Sequence, residues 1–176
     1  CALTGNTAAS DGGGAAESVL SDCTVTGNEA QGSDGGGLYY CTATRCLIRE
    51  NRAYDDGGGS SDGDLVNCLL ADNESGYGGG AAYGTLDACT VSSNTATSMA
   101  GGLYDVDYCL NTIIWSNHAP VDAEWSYGYY ENCLVAPLPE GGNDGGGNLT
   151  GDPRFANPAA GNYRLAGSSP CINAGA

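Results

Sequence analysis

Nine cysteines stand in a chain of 176 residues, and a thiol can bind metal, pair into a disulfide or act as a nucleophile. Spacing decides among these. Zinc fingers need close pairs such as C-x-x-C, whereas Cys1, Cys23, Cys46, Cys68 and Cys89 lie 22, 23, 22 and 21 residues apart. Each is followed two residues later by an aliphatic and five later by an asparagine: Leu3 and Asn6, Val25 and Asn28, Ile48 and Asn51, Leu70 and Asn73, Val91 and Asn94. Thr112 replaces the cysteine in a sixth copy that keeps Ile114 and Asn117, and Cys133 with Val135 opens a seventh without the asparagine. Carboxylates are the second candidate chemistry. Asp11, Asp34 and Asp56 each precede a glycine triplet, and stacked carboxylates repel unless a cation sits between them, so calcium is the metal this column would take. Aromatics are the third. Trp115, Trp125, Tyr127 and Tyr129 offer faces that stack on sugar rings, or that cover the end of an apolar core.

A fixed period of 21–23 residues is the signature of a repeat architecture, and it says which elements must hold these side chains. Within residues 68–73, Cys68 and Leu70 face one side and Leu69 and Ala71 the other, as on a strand. The cysteine side keeps its residue types from copy to copy while the other varies, so the cysteine side is expected to be buried. Asparagine tolerates the left-handed backbone of a tight corner, and stacked asparagines can hydrogen-bond along it. Glycine runs at 12–14, 35–37, 57–59, 78–80 and 101–102 permit a second turn. A further apolar position precedes each start by three residues: Leu20, Ala43, Leu65, Leu86, Cys109 and Tyr130. One repeat therefore holds two or three short strands and no helix. Such strands bury their apolar side only by stacking coil on coil. The fold class is all-β, a parallel β-helix (solenoid) of about six to seven coils with a period near 22 residues. A leucine-rich repeat would need several leucines and a return segment where this chain has glycines, and calcium-binding nonapeptide repeats have a period of nine.

Residues 1–140 form the coils, 141–150 a glycine-rich linker and 151–176 a C-terminal capping segment. The cysteine ladder reads as a row of small buried hydrophobes; Cys41, Cys109 and Cys171 lie outside it and are the better candidates for specific pairs. Twenty-one acidic residues stand against five arginines and no lysine, for a net charge of −16. Nucleic acid is excluded as a partner, since phosphate binding needs a cationic surface. No apolar run reaches membrane-spanning length. There is no signal peptide in the sequence; an exported protein would already have lost it.

The tail carries a different signature: Asp152-Pro153-Arg154-Phe155, then Gly161-Asn162-Tyr163-Arg164-Leu165, then Ser169-Pro170-Cys171-Ile172-Asn173-Ala174-Gly175. It resembles the D-P-x-F, G-x-Y-R-L and S-P-C-I-N-A-G segment of the choice-of-anchor Q family. The coils resemble the N-C-T-(L/I)-T-G-N repeats with glycine triplets of secreted bacterial right-handed parallel β-helix proteins and, more distantly, the repeats of polymorphic outer-membrane adhesins. The resemblance implies export, a cell-surface or extracellular position, and a shaft with an end-covering segment. It implies no activity. Relatives usually continue into an anchor beyond the point where this sequence stops, which suggests the ordered part of a longer or processed protein.

Three functions are then weighed. A polysaccharide lyase or glycoside hydrolase needs a strong base or clustered carboxylates over a cleft, and no long loop is present to wall one. A carbohydrate-binding or adhesive module would use Trp115, Trp125, Tyr127 and Tyr129. The favoured expectation is structural: a rigid extracellular rod. With its ladder starting at residue 1, the first coil is expected to show unpaired strand edges, and a second copy docking there would make a head-to-tail filament. Of the two glycosylation sequons, Asn148 in the linker is expected to accept a glycan and Asn73, in the corner ladder, is not.

Overall fold

The computed structural model describes residues 1–140, 143–172 and 174; Gly141 and Gly142 of the linker and Asn173, Gly175 and Ala176 of the tail motif lie outside the described residues. The chain winds as a parallel β-solenoid of about six turns. Strands Ala2–Thr4, Thr24–Thr26, Leu47–Arg49, Leu69–Ala71, Thr90–Ser92 and Ile113–Trp115 stack into one parallel sheet, in the register Leu3, Val25, Ile48, Leu70, Val91, Ile114. A second sheet stacks Thr7–Ala8, Glu29–Ala30, Arg52–Ala53, Glu74–Tyr77 and Thr95–Met99. A third, of eleven strands, holds the remaining wall and aligns Leu20, Ala43, Leu65, Leu86, Cys109 and Tyr130. Each early coil thus has four short strand segments, more than the two or three expected.

Corners explain how such short strands turn. Positive φ recurs at four places per coil: Gly5, Gly27, Glu50, Asp72, Ser93 and Ser116 at one; Gly12, Gly35, Gly57, Gly78, Ala100 and Asp122 at the next; Glu17, Tyr40, Asp62, Tyr83, Asp105 and Tyr127 at the third; Asp22, Arg45, Asn67, Ala88, Asn111 and Asn132 at the fourth. The expectation that the ladder asparagines supply the left-handed residue is corrected here. The residue just before each takes that conformation, which frees the asparagine to point inward. The second and third glycines of each triplet are required for another reason. A Cβ on Gly37 would lie 2.6 Å from the Gly59 carbonyl oxygen and 3.0 Å from Asn51 Nδ2 of the next coil, so only hydrogen fits.

The core is one continuous cluster in which Val25, Ile48, Leu70, Val91 and Ile114 are fully buried and the ladder cysteines from Cys23 onward are nearly so. Its outer wall is less simple. Leu47, Leu69, Thr90, Ile113 and Leu134 stack on the outside of the first sheet as a stripe that is apolar except at Thr90, and the tail lies against it. Leu165 and Cys171 border a cavity with Ile113, Leu134 and Leu149, while Tyr163 lines grooves with Leu69 and Trp115. The C-terminal segment is a two-stranded hairpin, Phe155–Asn157 with Asn162–Leu165, laid along the shaft's outer face. The linker is partly coil: Asp144–Gly146 pairs with Trp125–Glu131, and Leu149 bridges to Leu134.

Candidate functional site

The asparagines make the most regular chemical array in the molecule. Asn28 donates its backbone N–H and its Nδ2 to Asn51 Oδ1, at 3.0 and 2.9 Å, and a second Nδ2 hydrogen to the Leu3 carbonyl at 2.9 Å. Asn6, Asn51, Asn73 and Asn94 make the same pair of bonds to the asparagine of the next coil. From Asn28 to Asn94 every side-chain amide therefore accepts two bonds and donates two, and is saturated. At the top, Asn117 Nδ2 donates to Glu124 Oε2 at 2.7 Å and its N–H to both carboxylate oxygens at 3.3 Å. Burial raises the Glu124 pKa above the ordinary carboxylate value while these donors hold it back. Glu124 stands 22 residues after Gly102, in the column of third glycines. Elsewhere that column must be glycine because the next asparagine crowds it; the seventh copy has no asparagine, so a carboxylate fills the vacant acceptor place.

The cysteine ladder is also a hydrogen-bonded column. Cys46 and Cys68 donate their backbone N–H groups to the thiols of Cys68 and Cys89, each at 3.4 Å, and Cys23, Cys46, Cys68, Cys89 and Cys133 direct their S–H at the carbonyl two residues back. Thr112 does both: its Oγ1 accepts from Cys89 N–H at 3.1 Å and donates to Leu110 O at 2.8 Å. Asn148 occupies the next step, its Oδ1 accepting from Cys133 N–H at 2.9 Å and its Nδ2 donating to Tyr130 O and Asp144 Oδ1, both at 2.8 Å. The nitrogen expected to carry a glycan is the one that makes these two bonds. All nine cysteines are free thiols, and burial raises the pKa of Cys41, Cys46 and Cys109, leaving them poor nucleophiles.

Asp11, Asp34 and Asp56 do stack, and each carboxylate accepts a protein donor. Asp11 Oδ1 accepts the Asp34 N–H at 3.2 Å, Asp34 Oδ1 accepts the Asp56 N–H at 3.0 Å, and Asp56 Oδ2 accepts the Tyr83 hydroxyl at 2.9 Å. The N–H of Asp34 holds the Asp11 carboxyl below its usual value, whereas burial raises Asp34 and pushes Asp56 up to about 6. Among the described residues no group of three or more His, Cys, Asp or Glu side chains is arranged to hold a metal ion. The column expected to take calcium thus accepts backbone amides through Asp11 and Asp34.

The four candidate sugar-stacking residues are dispersed. Trp115 lies under the tail, lining a groove with Arg49 and Tyr163. Trp125 takes an inward place in register with Leu103, packs on Tyr130 with ring centroids 4.9 Å apart, and donates Nε1–H to the Pro137 carbonyl at 2.9 Å. Tyr129 sits edge-on beside Tyr108. Trp125 and Tyr127 share a cleft, of about 490 Å³, with Asp122, Pro137 and Leu138. Tyr127 and Tyr104 meet at 78°, so their rings offer edges to one another rather than a flat platform. The three shaft arginines stitch coils on the surface: Arg45 to Asp22, Arg49 to Asp72, and Arg52 to Glu29 and Glu74. Exposed pairs of this kind contribute about 0–1 kcal/mol each.

No family model, no curated protein and no solved structure matches this chain. The fold therefore rests on its own geometry, a parallel β-solenoid with an asparagine ladder and buried cysteines.

Proposed function

We propose that this chain is the shaft of an extracellular or cell-surface structural protein, a stiff spacer that assembles end to end into a filament. One observation carries the reading: the asparagine, cysteine and aspartate columns spend their donors and acceptors on neighbouring coils and on their own backbone, so the chemistry of these columns is directed into the shaft. Export is supported by the likeness of the coil and tail motifs to secreted β-helix proteins with a choice-of-anchor Q segment. End-to-end assembly is supported by the repeat itself, because a coil offers a copy the same backbone ladder it offers its own neighbour. Negative-stain images across a concentration series test this, with lengthening rods as the expected result. Short particles of one size at every concentration would remove the filament and leave the spacer; cleavage of any polysaccharide in a uronate and neutral-glycan screen would remove the structural reading altogether.

A carbohydrate-binding module is the second reading, favoured by the shared cleft of Trp125 and Tyr127. Retardation in polysaccharide-containing native gels, abolished by Tyr127→Ala, would support it. Tyr127 is the right probe because it is 60% exposed, whereas Trp125 also packs against the core.

A further inference from the structure

The ladder thiols are equivalent in sequence but not in surroundings. Cys1 Sγ lies 3.1 Å from Cys23 Sγ, in hydrogen-bonding contact, and Cys1 is exposed while Cys23 is buried. The strands beside them are in parallel register, Ala2 opposite Thr24, which puts neighbouring Cα atoms about 4.8 Å apart, inside the range a disulfide spans. Cys109 and Cys133 approach to 3.8 Å, but both are buried and closed to an oxidant. Cys41 Sγ is directed at the carbonyls of Ala15 and Tyr39.

We propose that Cys1 and Cys23 are a disulfide-forming pair that locks the first coil to the second, in place of the pairs expected among Cys41, Cys109 and Cys171. The oxidant is a low-molecular-weight disulfide. The exposed Cys1 thiolate attacks one of its sulfurs and expels a small thiolate, which takes up the proton Cys1 lost. The Cys23 sulfur, already in contact, then attacks Cys1 Sγ, loses its own proton and expels the second small thiol. Two electrons and two protons pass to the small disulfide, giving two small thiols and one protein disulfide. The site matters because the two cysteines adjoin the paired strands Ala2–Thr4 and Thr24–Thr26, which are only three residues each. Local opening starts in segments with few buried contacts, and a cross-link removes it.

The test uses the intact chain equilibrated with oxidised glutathione, quenched in acid, then unfolded and alkylated. Seven of the nine cysteines are expected to take the label. Proteolysis after Glu17 and Glu29 should yield residues 1–17 joined to 18–29, released by reductant, and amide exchange over residues 2–21 should slow at least tenfold on oxidation. Cys1→Ser, a change at an exposed position that leaves the core untouched, should take eight labels and show no slowing. Nine labelled cysteines in the oxidised wild type, a link from Cys23 to Cys46 or Cys171, or a covalent dimer would each overturn the proposal.

Discussion

Thr112 explains at the residue scale why cysteine recurs in this shaft. The position needs a small group that accepts the amide from the coil below and donates to the carbonyl two residues back, and Thr112 meets both needs where Cys68 and Cys89 do elsewhere. Thr112→Cys should therefore leave stability nearly unchanged, while Thr112→Val, of the same shape, strands the buried Cys89 N–H and should cost about 1–3 kcal/mol. Thermal or urea melts of the two variants check this, and equal losses would mean that volume alone is selected. Glu124 shows what a residue-level reading can miss although the signal is present. It stands on the glycine period, and the copy above it lacks the asparagine; the two facts together require an acceptor there, but only if the third glycine is known to face the next coil's amide.

At the scale of the element, glycine has two separate jobs, and substitutions tell them apart. A Cβ on Gly58 would lie 2.5 Å from the Glu74 carbonyl oxygen and 2.6 Å from that of Gly79, both backbone atoms of the coil above. Gly58→Ala should cost about 3 kcal/mol or leave the chain unfolded. Gly27 has φ 65 and nothing within 4 Å of a Cβ, and its column holds Glu50, Asp72, Ser93 and Ser116 at positive φ in other coils. Gly27→Asn should cost less than about 1 kcal/mol. Paired denaturant melts decide the matter; similar losses at both sites would contradict the close-approach argument. The tail is an element of another kind. Its strands pair only with one another, and an isolated hairpin is marginal in water, so contact with the outer stripe of Leu69 and Ile113 must hold it. Native-state trypsin should cut after Arg154 and Arg164 before it cuts at Arg45, Arg49 or Arg52, whose backbones are built into the coils. Mass spectrometry of a digestion time course reads the order.

Across the whole molecule, a charge of −16 on 176 residues makes stability depend on pH with a definite sign. Asp56 has a folded-state pKa of about 6 against an ordinary value of 3.8, so the fold binds its proton more tightly than the unfolded chain does. Its stabilising contribution is full below about pH 4 and is lost as pH rises through about 6. Asp34 and Glu124 are shifted the same way and Asp11 oppositely. The melting temperature should fall between pH 4 and 6.5, and fall less in Asp56→Asn, whose amide oxygen still accepts from Tyr83. Parallel curves for the two proteins would show that Asp56 is not responsible. Falling stability toward neutral pH accompanies, at the same scale, a shaft with few compensating cations.

The sequence alone determined the solenoid, its period, the buried cysteine and aliphatic columns and the asparagine ladder. Those depend on residues one coil apart sharing an environment, and any exact period exposes that. The tertiary structure alone decided which residue turns each corner, because φ at a corner is set by the path between strands and is met by Gly, Glu, Asp, Ser or Tyr alike. It also decided that the aspartates cap amides, that Asn148 continues the cysteine column, and that the tail covers the outer stripe. The last two join segments with no common period, and only folding brings such segments together; the aspartates share the period, but where the next coil's N–H points is set by the backbone.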